Sequence, residues 1–232
     1  IYTISCIDGV NGEKLSPKWL KDRIEKSGIK SINLLVDLTN YILLEQGQPL
    51  HAFDKDKLSK LIGKEVSPED FSVRKSKDSE SLECLDGKKY VLNKNITVIA
   101  CCDKPVAIAG VIGGLETSVT NTTKSIYLEA AVFNPITIRK SSKAVGIRTE
   151  SSSRYEKGIS SKNTIGAVTR AINLLEEYFS INLPVINTSN LINNEDIFIK
   201  LRRNRIHKIL GPLIINDQFE KRNLSDNEIV DK

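Results

Sequence analysis

Between residues 66 and 133 the chain breaks into short apolar runs divided by turn residues, and that block dictates what can be built around it. Val73, Leu82, Leu85, Tyr90-Val91-Leu92 and Ile96–Ala100 are too short for helices. Asp86-Gly87, Asn93 and Asp103-Lys104-Pro105 separate them, which is the pattern of successive strands. Asp86-Gly87 suits a hairpin turn, because both residue types tolerate positive φ. Val106 to Gly114 is a second apolar piece, and Ile126 to Val132 is almost continuous. The last predicts a strand buried on both faces.

Helical signals flank the block. Ser16-Pro17 reads as an N-cap and first helical position, with Gly28 closing the helix. Ile32 to Glu45 is apolar, with Asp37, Thr39 and Asn40 inside it, and Gly47-Gln48-Pro49 breaks it. Asn134-Pro135 starts a helix that ends near Gly146. Ser160 or Ser161 starts a longer one, in which Ile165, Val168, Ala171, Ile172, Leu175 and Phe179 recur at helical spacing. Strands in the middle and helices at the ends predict an α+β fold, with mixed sheets packed as a sandwich-like core and helices around it.

A boundary is expected near 183–196, where Leu183-Pro184, Asn187 to Asn190 and Asn193-Asn194 make a polar connector. Residues 1–190 form the main domain in this reading. Residues 191–232 form a linker and the start of a small α-rich module, with a strand at Ile197–Leu201 and a helix at Arg205–Leu210 stopped by Gly211-Pro212. The chain opens on Ile1 and has no methionine, so a piece of a longer protein is expected.

With 232 residues, 40% hydrophobic and 27% charged, the composition is that of an ordinary globular chain. No apolar run approaches the ~18–20 residues of a membrane span. Cys6, Cys84, Cys101 and Cys102 lack CxxC spacing, and His51 and His207 are the only histidines. That argues against a metal site and for buried reduced thiols in a cytosolic-type compartment. The net charge of +5 says little about partners. The basic cluster Arg139, Lys140, Lys143, Arg148, Arg154 and Lys157, with Glu150 and Glu156 as its only acids, says more.

Four segments carry chemistry. In the first, Thr39, Asn40 and Gln48 lie among apolar residues, and each would cost ~1–3 kcal/mol if left unpaired. They must bond to each other, to backbone or to a ligand, and His51 beside them is structural or functional. In the second, Gly110, Gly113 and Gly114 stand among apolar residues. They mean close backbone approach, to another strand or to a ligand. The spacing matches neither GxGxxG nor a phosphate-binding P-loop. Third, Glu129 interrupts the continuous apolar strand, so it faces outward or lines a cavity with a raised pKa. Fourth, residues 146–158 mix small hydroxyls with Arg and Lys. They are a solvated loop or a pocket wall whose rim attracts phosphate.

These segments resemble, in order, the editing domain of bacterial phenylalanine–tRNA ligase beta subunits. The family pattern DxTNY then GQPLHAFD stands here as Asp37–Tyr41 and Gly47–Asp54. AGVxGG stands as Ala109–Gly114, LEAAxFNP as Leu128–Pro135, and an RTEASxRxEKG-like stretch as Arg148–Gly158. The resemblance covers roughly residues 1–185, and the tail from about 195 looks like the opening of that subunit's next module.

The resemblance implies hydrolysis of tyrosine wrongly esterified to tRNA(Phe). An apolar phenylalanine pocket rejects an added hydroxyl by only roughly 100-fold, so a second pocket that requires the hydroxyl restores fidelity. It implies that Glu129 accepts the tyrosine hydroxyl and that Gly113 lies beside the substrate ring. Thr149 and Ser151 would form pocket wall. His51, Thr39 and Asn40 would stand near the ester or the terminal ribose. Arg148 and Arg154 would face tRNA. Position 151 is Ser where the family more often has Ala, which narrows the pocket. No GxSxG elbow or metal set is present, so a positioned water is the expected nucleophile. The parent enzyme would use ATP and Mg, bind an alpha subunit in a heterotetramer and work in the cytoplasm or a plastid. This stretch itself calls for no cofactor. The alternative is a non-catalytic tRNA-binding or subunit-assembly module.

Overall fold

The computed structural model describes residues 1–182, 184–189, 200, 202–214, 221–222 and 225. The chain divides into two compact units, Ile1–Ile192 and Asn193–Lys232.

In the first unit the chain runs β1 (Tyr2–Asp8), α1 (Lys18–Lys26), α2 (Leu34–Gln46), β2 (Leu50–Asp54), α3 (Lys55–Ile62), β3 (Phe71–Lys75), β4 (Ser81–Glu83) and β5 (Lys89–Val91). It continues through β6 (Thr97–Cys101), β7 (Lys104–Ile108), β8 (Ile112–Gly113), β9 (Ser125–Ala131), α4 (Pro135–Val145), α5 (Glu150–Tyr155), α6 (Thr164–Glu176) and β10 (Asn187–Ser189). One four-stranded sheet has the order β10-β1-β9-β2, another β3-β6-β7-β8, and β4-β5 is a separate hairpin. Every one of these pairings is antiparallel. The expected α+β class, with sheets packed and helices outside, is what the chain forms.

β9 decides the layering. Ile126, Leu128 and Ala130 enter a cluster with Leu38 and Ile42 of α2 and Val168 and Ala171 of α6. Tyr127 and Ala131, on the opposite face by strand alternation, pack with Phe53 of β2, Ile99 of β6 and Ala107 of β7. The first sheet thus has helices on one side and the second sheet on the other. A third cluster joins Val98 and Ile108 of the second sheet to Ile138 of α4 and Tyr155 of α5. The expectation of a strand buried on both faces holds for every residue from Ile126 to Ala131.

Local signals fared unevenly. Asn134 caps α4, accepting from the Ile136 and Thr137 amides, and Gly146 closes it at φ 69°. Gly28, at φ 81°, follows α1 as expected. Ser16 does not cap α1: Pro17 holds the N-cap position, and Ser16 Oγ donates to Asp37 instead. α6 begins at Thr164, after a 3-10 turn capped by Ser160, and stops at Glu176, short of Phe179. The separator expected at Asp103-Lys104-Pro105 is a two-residue turn, Cys102-Asp103. Both residues take positive φ, as tight hairpins require, while Lys104 and Pro105 belong to β7. In the Asp86-Gly87 turn only Gly87 has positive φ. Asn187-Thr188-Ser189, expected in a connector, pairs with Tyr2 to Ile4 as β10. Cys84 and Cys101 are buried thiols, but Cys102 is exposed and Cys6 half-buried, because the hairpin tip holds Cys102 outside the core.

The second unit contains α7 (Arg203–Leu210), β11 (Leu213–Ile214) and β12 (Lys221–Arg222), the two strands antiparallel. The expected helix is present, ending before Gly211, and the strand pair adds to an α-rich expectation. The strand expected at Ile197–Leu201 falls outside the described residues apart from Lys200, which belongs to no element. No helix of the described residues is long and apolar enough to cross a membrane.

Asp37, fully buried, ties the helical layer together. It accepts from Ser16 Oγ at 2.6 Å, Ser31 Oγ at 2.5 Å and the Ile32 amide at 2.9 Å. Removing an acceptor strands its donors at ~1–3 kcal/mol each. Asp37→Ala is therefore expected to lower the unfolding free energy by about 2–4 kcal/mol in urea denaturation. A loss under ~1 kcal/mol would mean that water replaces the carboxylate.

Candidate functional site

β2 is the edge strand of the first sheet, and its register with β9 sets His51 directly opposite Glu129. Residues paired in this way project side chains from one face of a sheet with Cβ atoms ~5 Å apart. That face looks toward the second sheet, where the two-residue strand β8 carries Gly113. A Cβ at Gly113 would stand 2.4 Å from His51 Cε1 and 2.7 Å from Nε2. The glycine expected to permit close approach therefore meets the imidazole. Phe53 meets the imidazole in an edge contact, centroids 4.4 Å apart.

His51, Glu129 and Gly113 line a cavity of about 480 Å³. Thr39 and Asn40 of α2 line it from the helical side, and Thr149 and Ser151 line it from α5 and its cap. All seven residues singled out for ester or amino-acid contact, Thr39, Asn40, His51, Gly113, Glu129, Thr149 and Ser151, therefore reach one hollow. Thr39 Oγ1 donates to the Val36 carbonyl at 2.8 Å. Thr149 caps α5: its Oγ1 accepts from the Ser152 amide and donates to the Val111 carbonyl at 2.8 Å, while Ser152 Oγ accepts from the Thr149 amide. The cap locks this wall to the second sheet.

Glu129 is 5% exposed. Its Oε1 and His51 Nε2 are sealed from solvent and have no hydrogen-bond partner in the protein. His51 as a whole residue is half-buried, but the atom that matters is enclosed. Desolvation pushes the Glu129 carboxyl up to about 8 and the His51 imidazole down to about 4. Both groups are thus held neutral near pH 7, as burial without a counter-charge demands. Unpartnered buried polar atoms are rare, and each calls for an explanation. Two of them on residues that line one hollow point to a ligand.

Arg148 and Arg154 do not line the cavity. Arg148 pairs with Glu156 at 2.6 Å and Arg154 with Glu150 at 2.5 Å. Tyr155, to which the motifs gave no role, does line it. Its ring meets Phe133 edge-on at 5.1 Å, and its phenol is pushed well up, by desolvation first and by the Glu129 charge second. A lone aromatic in a run of hydroxyl residues was the available signal. Gln48 is fully buried and satisfied: its amide donates to the Pro49 and Ala131 carbonyls and accepts from Thr164. It fixes the turn that delivers β2. Among the described residues no group of three or more His, Cys, Asp or Glu could hold a metal ion.

The fold and the hollow define the class. The B3/4 domain model matches residues 1–180, and the chain belongs to that family. Over its whole length it is similar to phenylalanine–tRNA ligase beta subunits. It is 90% identical over 232 residues to that of Prochlorococcus marinus (strain MIT 9312), covering 28% of that subunit. It is 69% identical over 239 residues to that of Prochlorococcus marinus subsp. pastoris, covering 29%. A Synechococcus subunit is 44% identical over 228 residues, 98% of this chain and 28% of the subunit. The chain thus spans under a third of the curated relatives it matches, and the resemblance drawn from its motifs is to this same subunit.

The raised Glu129 carboxyl has a thermodynamic consequence. In the unfolded chain it titrates near 4.5, and in the fold at about 8. The folded state therefore binds the proton more tightly, and stability falls as pH rises between those values. Glu129→Gln should remove that decline. It should match the wild type near pH 4.5 and exceed it at pH 9 by several kcal/mol, with an upper bound of about 5 from ~1.4 kcal/mol per unit. Parallel unfolding curves at both pH values would show instead that water solvates the carboxyl.

Proposed function

We propose that this domain performs post-transfer editing, hydrolysing the ester of tyrosyl-tRNA(Phe) as part of a phenylalanine–tRNA ligase. The observation that carries the reading is the facing pair of enclosed, unpartnered groups, Glu129 Oε1 and His51 Nε2, in one cavity. Glu129 accepts the phenol O–H of a tyrosine side chain. Phenylalanine offers no donor and leaves the carboxyl unpaired at ~1–3 kcal/mol, so the correct product is spared.

The amino-acid ring lies along Gly113, where a side chain would collide with His51. Thr149 and Ser151 wall it in, the Ser151 hydroxyl narrowing the pocket and adding a polar group to it. Thr39 and Asn40 meet the ester and the terminal ribose. His51 is neutral at working pH, and its enclosed Nε2 has no partner in the protein, so in this reading it takes the attacking water as its partner once the substrate is seated. A group held near 4 is a weak base, so its main contribution is orientation of that water. The water oxygen attacks the ester carbonyl carbon, the C–O bond to ribose breaks, and the water proton passes to the ribose oxygen. Arg148 and Arg154 stand outside the cavity, where a phosphate would compete with their glutamate partners. Aminoacylation itself, with ATP and Mg, and the heterotetramer with the alpha subunit belong to the whole ligase, which we place in the cytoplasm or a plastid.

Deacylation assays test this directly. The wild-type chain should clear tyrosyl-tRNA(Phe) and spare phenylalanyl-tRNA(Phe). Glu129→Ala should erase the preference, a loss of roughly 10–100-fold. His51→Ala should lower turnover by on the order of 10–100-fold with tRNA affinity kept. A wild-type chain that binds tRNA and leaves both esters intact would demote the domain to a binding or assembly module.

A further inference from the structure

Before residue 190 the sequence has six arginines: Arg23, Arg74, Arg139, Arg148, Arg154 and Arg170. Arg74, Arg148, Arg154 and Arg170 pair with carboxylates. Arg23 donates to Tyr41 Oη and stacks on Trp19. Arg139 alone has no such partner among the described residues. It is exposed on α4, next to exposed Lys140 and one turn from exposed Lys143, and neither lysine pairs with an acid among the described residues. From Asn134 to Thr149 the chain holds four cations and no acid at all. Lys143 is the i+4 neighbour of Arg139 and the i+3 neighbour of Lys140, so three uncompensated charges project from the exposed side of α4.

The place of that face matters as much as its charge. The inner face of α4 carries Ile138, fully buried in one cluster with Tyr155 and Phe133. Ile138, Tyr155 and Phe133 all crowd Gly110, and Gly110, Tyr155 and Phe133 line the cavity. α4 is therefore the outer layer of the cavity's back wall, and its cations lie about one helix diameter, ~10 Å, from the hollow. Four residues after α4 ends, Thr149 is already part of that wall. At the other end, a Cβ at Gly158 would touch Pro135. That brings Lys157, exposed and without an acid partner among the described residues, beside the start of α4.

We propose that the exposed face of α4, with Arg139, Lys140 and Lys143, is the phosphate-binding surface that holds the acceptor end of the tRNA while its terminal aminoacyl group enters the cavity. This rests on the reading of the cavity as an aminoacyl-tRNA site. Uncompensated cations bind a polyanion without first breaking an ion pair, whereas Arg148 and Arg154 must release Glu156 and Glu150. α4 thus contributes up to three phosphate contacts to the salt-dependent affinity. Such contacts position the substrate and carry no sequence information.

The test uses the whole 232-residue chain and the combined variant Arg139→Gln, Lys140→Gln, Lys143→Gln. Binding of fluorescent tRNA(Phe) is measured by anisotropy between about 50 and 200 mM salt. The variant should bind on the order of tenfold more weakly at the low end, and its log–log salt slope should fall by about 2–3. Hydrolysis of tyrosyl-adenosine, which carries the ester without a phosphate chain, should be unchanged. A wild-type salt slope in the variant overturns the assignment of α4. Wild-type inertness toward tyrosyl-adenosine would sink the hydrolase reading instead, and the binding slopes would still decide α4 on their own.

Discussion

Everything in this domain is arranged around a carboxyl group placed where a carboxyl group does not belong. β9 is the middle of a three-layer stack, with helices behind it and a second sheet in front. Every one of its residues from Ile126 to Ala131 is buried. Such a strand needs apolar side chains on both faces, and five of those six positions comply. Glu129 breaks the rule on the face toward the second sheet, and the two sheets do not close over it. Their separation there leaves the hollow that Gly113, Tyr155 and α5 complete.

The neighbour across the ladder turns a buried acid into a pair. His51 and Glu129 are register partners, and the environment drives both to their neutral forms. An ion pair would have quenched both groups and left nothing for a ligand to satisfy. Instead the imidazole is turned against Gly113, and the carboxyl keeps an unused oxygen. Gln48 holds this arrangement at a distance. Its fully satisfied amide joins the turn before β2 to the end of β9 and to the start of α6, so a slip of β2, which would send His51 to the helical face, is blocked.

Much of this was legible in the residues, and what was not shares a cause. The continuous run Ile126–Val132 announced a doubly buried strand, and Asn134-Pro135 announced α4, because burial pattern and helix capping are local properties. The glycine-rich piece announced close approach without naming its partner. That partner, His51, lies on a remote strand, and register between remote strands leaves no local trace. The same limit explains Ser16: a cap was a sound local choice, but α1 begins at Lys18 with Pro17 in the cap position, and the Ser16 hydroxyl is held by Asp37, twenty-one residues on. β10 was missed because three polar residues, with only Thr188 a strand former, carry no apolar alternation, and the open edge of β1 is what pairs with them. Motif resemblance gathered the seven cavity residues because a family pattern encodes non-local geometry that periodicity cannot.

The stability of the fold and the chemistry of the hollow pull in opposite directions. Two unpartnered polar atoms and a carboxyl held neutral all weaken the folded state, and apolar residues at the same positions would strengthen it. The surroundings limit the damage. Gln48 is fully bonded, the Thr149–Ser152 cap is reciprocal, and the apolar clusters close on both sides of β9. These supports of the hollow are therefore satisfied, while Glu129 Oε1 and His51 Nε2 are left unpartnered, as are Tyr2 Oη and Ser5 Oγ elsewhere in the described residues. A position kept for packing alone would have been filled with a leucine, and local rules fail in this way where function outweighs packing. The same logic extends to the surface. Arginines elsewhere in the domain are matched with carboxylates or aromatic rings, and the stretch beside the hollow carries cations with no acid to answer them. The inner deficit is of hydrogen bonds and the outer one of negative charge, and under the proposed function one molecule, an aminoacyl ester at the end of a phosphodiester chain, would make up both.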